Sequence, residues 1–410
     1  MRIAMMSSVH RDDDIRIYHK MCKSLIAAGH EVHFIVPRQN CPANETRDGV
    51  QIHAIAPARS RLGRMTRIQW DILRTSLALN ADFYHFHDPE LLPVGLILRA
   101  LGRRTVYDVH EEFPKQILSK GWIPRPLRPI VSQIAGFGEY WMSRAMTGIV
   151  ASAPAIATRF PADRCVVVQN FPLISELAAP ADLESATRLF QVAYVGGIGR
   201  IRGIVEVVRA MELLPTTCEA RLALVGRIHP ADLEVELRKM PGFKRVDFLG
   251  WKSREEVARI LAQSRVGIVT FLPEPHHVGS QPTKLFEYMS ASLPVIASDF
   301  PHSRQIVEGA GSGILVDPTN PQAIADAIQW IMSHPEESAA MGKRGQQSVH
   351  EVYNWENEAR TLLGFYNEFN QKDSDCRGSA TTVHQGVHCE PSNRREPEIA
   401  GGDRSHGTTL

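Results

Sequence analysis

The chain has 410 residues, 43% of them hydrophobic, enough for two full cores and a tail. Its 46 Lys and Arg nearly balance 45 Asp and Glu, which gives no reason to expect a nucleic-acid partner, although residues 1–172 alone hold 22 basic against 15 acidic residues. No apolar run approaches the roughly 18 residues of a membrane span, and the opening MRIAMMSSVH turns polar too soon for a signal peptide, so the chain reads as cytoplasmic.

Apolar runs at 3–7, 32–36, 52–55, 83–86, 105–109 and 148–151 read as strands. Helical periodicity at 14–28, 64–78, 90–101 and 128–146 separates several of them. Strands alternating with helices predict a parallel sheet wrapped on both faces. Residues 172–188, PLISELAAPADLESATR, have the composition of a linker. The series then restarts, with strands at 192–195, 220–225, 246–249, 266–271, 294–297 and 313–316. Helices are expected near 203–213, 231–239, 254–263, 283–291, 302–308 and 320–333, then at 335–350 and 355–370. From Lys372 the chain has almost no apolar content to offset its ordering entropy, and disorder is expected. The six cysteines show no paired spacing and read as reduced thiols, and His384, His388 and Cys389 lack a second flanking ligand pair for a metal.

The densest chemistry lies at 276–299, HHVGSQPTKLFEYMSASLPVIASD. A polar loop there runs into a short helix, and a helix start presents free N–H groups under positive dipole potential, a socket for phosphate. Glu287, one turn in, is placed to accept two hydroxyl hydrogen bonds, as from a ribose, and equally fits an ordinary surface Glu. In YVGGIGRIRG, residues 194–203, Gly196 and Gly197 let backbone approach a ligand while Arg200 and Arg202 can neutralise a diphosphate. Gly226 and Gly250 end strands, where ligands sit in open α/β sheets, but both also suit plain turns. Trp251 either stacks on a base or caps the core. In the first half, YHFHD at 84–88 and YDVHEE at 107–112 bring His87 and His110 to one crevice beside carboxylates. Asp88, Glu111 and Glu112 alternatively serve as helix-start carboxylates. Asp14 suits a helix cap, and His10, Arg16 and His87 are candidates for acceptor contact. Arg59, Arg61, Arg64, Arg67 and Arg74 interleave with Leu62, Met65, Ile68 and Trp70, and 120–128 is similar. Such segments suit either an anionic lipid surface or a solvated helix face.

The run P-T-K-L-F-E-Y-M-x-A-x-x-P-V-I-A-S-D resembles the donor-binding signature of retaining sugar-nucleotide glycosyltransferases with the GT-B fold, the bacterial family 4 or group 1 type. The resemblance covers about residues 1–370 and is most specific at 282–299. It implies an α/β, GT-B architecture, two doubly wound Rossmann-like domains facing a central cleft. The acceptor-side domain would span 1–171, a linker 172–188 and the nucleotide-sugar domain 189–353. A helix at 354–371 would cross back to the first domain, before a tail at 372–410. It further implies hexosyl transfer from a UDP- or GDP-linked sugar to a glycan or lipid-linked acceptor, with retention. Neither a metal nor a resident cofactor is expected, and work at the inner face of the membrane in surface polysaccharide or glycolipid synthesis is. Arg202 matches the basic residue before the last glycine of the family's second diphosphate loop, whose first arginine is replaced by Gly197. Ser280, Thr283 and Lys284 fall in the phosphate loop, and His110 matches the position that approaches the transferring sugar. Of the family's two glutamates, Glu287 matches the second, Gly279 replaces the first, and Glu274 is the nearby carboxylate that could substitute. The catalytic candidates are thus His110, Arg202, Lys284 and Glu274. A 2-epimerase-like isomerase and a non-catalytic scaffold are the alternatives, the latter supported by Gly279.

Overall fold

The computed structural model describes all residues except 40–43, 59, 111, 122, 175–189, 191, 275–276 and 382–410. The expected linker therefore lies largely outside the described residues, as do Arg59, Glu111, Trp122 and the tail beyond 381. One compact unit spans Met1–Phe365, and the described residues from Tyr366 on belong to a second.

The first unit holds two sheets. The first contains β1 (Arg2–Met6), β2 (Glu31–Pro37), β3 (Asn44–Arg47), β4 (Val50–Ile55), β5 (Phe83–Phe86), β6 (Arg104–Val109), β7 (Gly148–Ala151) and β8 (Cys165–Val167). Its spatial order is β3-β4-β2-β1-β5-β6-β7-β8, and only β3 is antiparallel to its neighbour. The second contains β9 (Val192–Val195), β10 (Leu222–Val225), β11 (Val246–Gly250), β12 (Val266–Val269), β13 (Val295–Ser298) and β14 (Gly313–Val316), all parallel, in the order β11-β10-β9-β12-β13-β14.

The central strands are buried on both faces, as apolar runs without polar alternation require. In the second domain, Tyr194, Leu222, Leu224, Ile268 and Ile296 turn to one core, while Val195, Ala223, Val225, Val269 and Ala297 turn to the other. Both strand orders reverse at the first strand of the domain, β1 and β9. That reversal opens a crevice at the carboxyl ends.

Two strands were not anticipated. β3 is NETR, a polar edge strand with no apolar period to find. Its signal is the Asp48-Gly49 turn into β4, both residues at positive φ (51° and 83°) as a two-residue hairpin favours. β8 has three residues, too short to carry a period. The last helix runs Trp355–Thr381, about ten residues beyond the expected end at 370. At its start the Trp355 indole donates to Ser24 Oγ at 2.9 Å, and Glu358 accepts from the Gln169 amide at 2.7 Å, both first-domain groups.

Candidate active site

The carboxyl ends of both sheets open onto one cavity of about 850 Å³. First-domain loops contribute His10, Asp14, Arg16 and His110. The second domain contributes Gly196, Gly197 and Arg202 after β9, and Ser280, Thr283, Lys284 and Glu287 at the helix Thr283–Ser290.

The first-domain wall is built on Asp14 and Asp108. Asp14 caps the next helix, accepting from the Arg16 and Ile17 amides at 2.9 Å each, and its other oxygen bonds His10 Nδ1 at 2.9 Å. That helix opens with an i→i+5 turn, His19 N donating to Asp14 O at 3.2 Å. Arg16 on this turn is buried and donates through Nη2 to Asp108 at 3.1 and 3.3 Å and to Val168 O at 2.9 Å. Around the same carboxylate stand His85 Nε2 (3.5 Å), His87 Nδ1 (3.4 Å) and His110 Nδ1 (3.6 Å). Burial alone would raise the Asp108 carboxyl, but Arg16 and His110 hold it well below the usual range. Burial, with Arg16 and His10 adding to it, pulls His110 down to about 4 against the charge of Asp108. His110 is therefore a neutral imidazole at pH 7, its Nε2 buried and without a hydrogen-bond partner among the described residues. His10 goes the other way: burial lowers it, but the bond to Asp14 and the charge of Asp88 raise it above its ordinary value.

On the second-domain side the loop after β9 packs backbone on backbone. Gly226, at φ +139°, touches it from the end of β10, and an added Cβ there would lie 1.9 Å from Gly196 O. Arg202 Nη1 donates to Gly197 O at 3.1 Å, and a side chain at 197 would collide with that nitrogen, its Cβ only 2.2 Å away. Glycine at 197 thus makes room for Arg202. Lys284 is buried, its Nζ 4.0 Å from the Tyr194 ring centroid and 5.2 Å from that of Phe271, with no hydrogen-bond partner among the described residues. Burial first, and then the charge of Arg202, pull this ammonium down to about 7 against the pull of Glu287. Two cationic side chains thus converge on the start of a helix that no side chain caps.

Several expected site residues sit elsewhere. Arg200 is exposed and donates to Glu236 at 3.1 Å and through a second bond, so it does not line the cavity or replace the missing arginine. His87 is buried beneath the cavity floor, stacked on His110 with centroids 5.3 Å apart, and does not reach an acceptor. Gly226 and Gly250 support the loop, the Gly226 amide donating to Gly250 O at 2.8 Å, but neither lines the cavity. Trp251 is 67% exposed and caps no core. Glu274 is half-buried and off the lining, while Gly279 lines it with nothing within 4 Å of an added Cβ. The Ser280 amide is taken by His277 O at 3.0 Å and offers no free donor.

Arg254 and His277 are among the lining residues that the sequence reading passed over. Arg254 donates to Glu287 Oε1 at 2.9 Å, so one oxygen of the expected ribose anchor is already engaged. It opens a helix capped reciprocally by Ser253 and Glu256, and that S-x-x-E pattern after Gly250 was its sequence signal. His277 packs on Phe271, centroids 4.7 Å apart. If Arg202 meets a leaving diphosphate, as the resemblance implies, Arg202→Ala is expected to lower kcat more than it raises KM, because such charge grows in the transition state, whereas Arg200→Ala leaves both near wild type. Steady-state kinetics on both variants checks this, and equal losses would contradict the assignment.

The acidic triplet Asp12-Asp13-Asp14 is fully paired, with Arg47 at 2.9 Å, Arg11 at 2.9 Å and His10 at 2.9 Å respectively. His85, His87 and Asp108 lie close enough to share a cation, their ligand atoms within 4.8 Å. The Arg16 guanidinium on the same carboxylate opposes a second positive charge there.

Family models match both halves of the chain: the Glycosyl transferase 4-like domain over residues 16–170, and Glycosyl transferases group 1 over residues 178–348. An uncharacterised glycosyltransferase of Methanocaldococcus jannaschii is 24% identical over 365 residues, 84% of this chain and 92% of its own. The MMP α-(1→4)-mannosyltransferase of Mycolicibacterium hassiacum is 22% identical over 302 residues, 70% of each chain. Sucrose-phosphate synthase from Thermosynechococcus elongatus superposes with a TM-score of 0.73 at 19% identity, covering 90% of this chain and 99% of that one. HepE of Anabaena, solved in complex with UDP and glucose, gives 0.67 at 16% identity, covering 90% and 100%. With one model on each Rossmann-like half, this chain is a glycosyltransferase of the GT-B fold.

Proposed function

We propose that the protein transfers a hexose, with retention and without a divalent ion, from a UDP- or GDP-linked sugar to a glycan or lipid-linked acceptor. The synthesis of bacterial surface polysaccharide or glycolipid at the inner face of the membrane suits such a reaction. The observation that carries the reading is Lys284: a buried, unpartnered ammonium beside Arg202 at an uncapped helix start. That arrangement matches a diphosphate, whose charge grows as it leaves. HepE, which shares the fold, is described with UDP.

In this reading the bond from the sugar C1 to the phosphate oxygen breaks, and Lys284 and Arg202 take up the developing charge. The acceptor hydroxyl forms the new bond on the same face and passes its proton to the departing phosphate oxygen. A covalent sugar–enzyme intermediate would need an unengaged carboxylate at the cavity, and each acidic lining residue is paired. Asp14 bonds His10 at 2.9 Å, Glu112 meets Lys115 at 2.5 Å and Glu287 meets Arg254 at 2.9 Å. Neutral His110, lining the cavity, is suited to hydrogen-bond a sugar hydroxyl without adding charge.

The 2-epimerase and scaffold alternatives are not favoured: the relatives from Methanocaldococcus jannaschii and Mycolicibacterium hassiacum are named as transferases, and the charged residues converge on one cavity. Glu274→Ala is expected to leave transfer within about twofold of wild type, since Glu274 lies off the lining. A large loss would restore it as the substitute for the missing glutamate. The reading as a whole is tested by incubating a donor panel with lipid-extract acceptors and assigning the product anomer by NMR. Inversion would overturn the retaining mechanism, and no transfer with any donor would overturn the enzyme.

A further inference from the structure

The sequence placed membrane contact on two basic stretches, 59–74 and 120–128; in the first, Arg64 is paired with Glu90 at 3.0 Å and Arg67 with Asp71 at 3.6 Å, and the second leads into a further helix. The helix Arg128–Arg144 is different. Ile130, Ile134, Phe137 and Trp141 repeat at helical spacing along one outward stripe. Ile134 and Phe137 are each 67% exposed, Trp141 58% and Ile130 55%. Val131 and Tyr140 flank them, also exposed, and Leu127 extends the stripe at its start. Its length from 130 to 141 is about 16 Å at 1.5 Å per residue. Isolated exposed apolar residues are ordinary, but a continuous stripe with three aromatic rings marks a contact surface.

The charge around the stripe selects its partner. Residues 120–144 hold four basic residues, Lys120, Arg125, Arg128 and Arg144, against one acid, Glu139, while Lys115 just before them is neutralised by Glu112. Glu139 is buried, bonded to Arg159 and to the Tyr107 hydroxyl, and contributes nothing outward. A two-fold contact with a second copy would bring this uniformly basic rim against its own image. An anionic bilayer complements it: rings and aliphatic side chains enter the headgroup boundary, and arginines meet lipid phosphates. Among the described residues no helix is long and apolar enough to cross a membrane, which is consistent with a helix lying in the surface.

We propose that the helix Arg128–Arg144 docks the acceptor domain on an anionic lipid leaflet. The geometry also brings that leaflet near the site. The helix Phe113–Ser119 packs against it, Ser132 Oγ donating to Pro114 O at 2.7 Å, and Lys115 and Gln116 of that short helix line the cavity. A lipid-linked acceptor held in the leaflet would thus lie one helix from the first-domain wall. That last step rests on the proposed function; the docking itself rests on the surface alone.

The experiment is flotation of the full chain with phosphatidylcholine vesicles, with and without phosphatidylglycerol, in the absence of donor. Binding is expected only with the anionic lipid, falling steeply with salt. Phe137→Ser with Trp141→Ser is expected to weaken it about tenfold or more while leaving nucleoside diphosphate affinity unchanged. Arg125→Gln is expected to weaken it less. Brominated lipids are expected to quench Trp141, an effect lost in Trp141→Phe. Equal binding to neutral vesicles, or none to either, would overturn the proposal. So would a dimer seen by sedimentation velocity that Phe137→Ser abolishes, which would assign the stripe to a second copy. Because no sugar transfer is measured, these failures are separate from failure of the transferase reading.

Discussion

Replacing Lys284 with Ala is expected to lower kcat by about 10²–10³-fold, the loss typical when one preorganised group aimed at developing charge is removed. The site is prepared for that group in advance. Lys284 Nζ lies between the rings of Tyr194 and Phe271, and no protein carboxylate or carbonyl holds it among the described residues. Its charge is therefore unsatisfied until an anion arrives. The pH dependence follows in sign. The unfolded chain keeps this proton up to the ordinary 10.5, whereas the folded chain releases it near 7. Between those values the unfolded state binds more protons, so this residue makes the fold less stable as pH falls from 10.5 to 7. Diphosphate binding reverses the preference, because the anion favours the charged form. Rapid-quench kinetics on Lys284→Ala measures the chemical step. A kcat within a few-fold of wild type would remove Lys284 from the mechanism.

Asp108→Asn is expected to destabilise the first domain by about 3–5 kcal/mol, because it leaves the buried Arg16 guanidinium without its counter-charge. A fall of roughly 10 °C or more in the thermal midpoint is the corresponding observable. The same substitution is expected to lower activity beyond the loss of folded protein, since Asp108 stands 3.6 Å from His110 and 3.4 Å from the His87 beneath it. Urea unfolding separates the two effects. An unchanged midpoint would show that Arg16 finds compensation elsewhere.

What the sequence made legible follows from how local each signal is. β5, β7, β9 and β14 are short apolar runs bounded by turns, and their limits match the expected 83–86, 148–151, 192–195 and 313–316. The uncapped helix start at 283 was legible for the same reason, since Thr283 and Lys284 lie within its first turn. The first-domain wall was not, because its logic is tertiary. Arg16 and Asp108 are 92 residues apart, and nothing local says that Asp108 rather than Asp88 receives the arginine. Arg254 meets Glu287 across 33 residues and the strand β12. Arg200 failed in the opposite way. Its position before Arg202 suggested a diphosphate contact, but the short helical turn Arg200–Arg202 aims it toward Glu236 on the helix Ala231–Lys239. Gly279 in place of the expected glutamate looked like a lost function. The structure places it at open space on the lining, with the cationic pair nearby intact.

Whether Lys284 receives a nucleoside diphosphate is decided by calorimetric titration with UDP and with GDP at pH 8. Run in two buffers of different ionisation enthalpy, the titration reports protons taken up as well as affinity. At least one nucleotide is expected to bind with uptake of about one proton, and Lys284→Met to bind more weakly with no uptake. Binding by neither nucleotide, or the same proton count in Lys284→Met as in wild type, would contradict that role of Lys284.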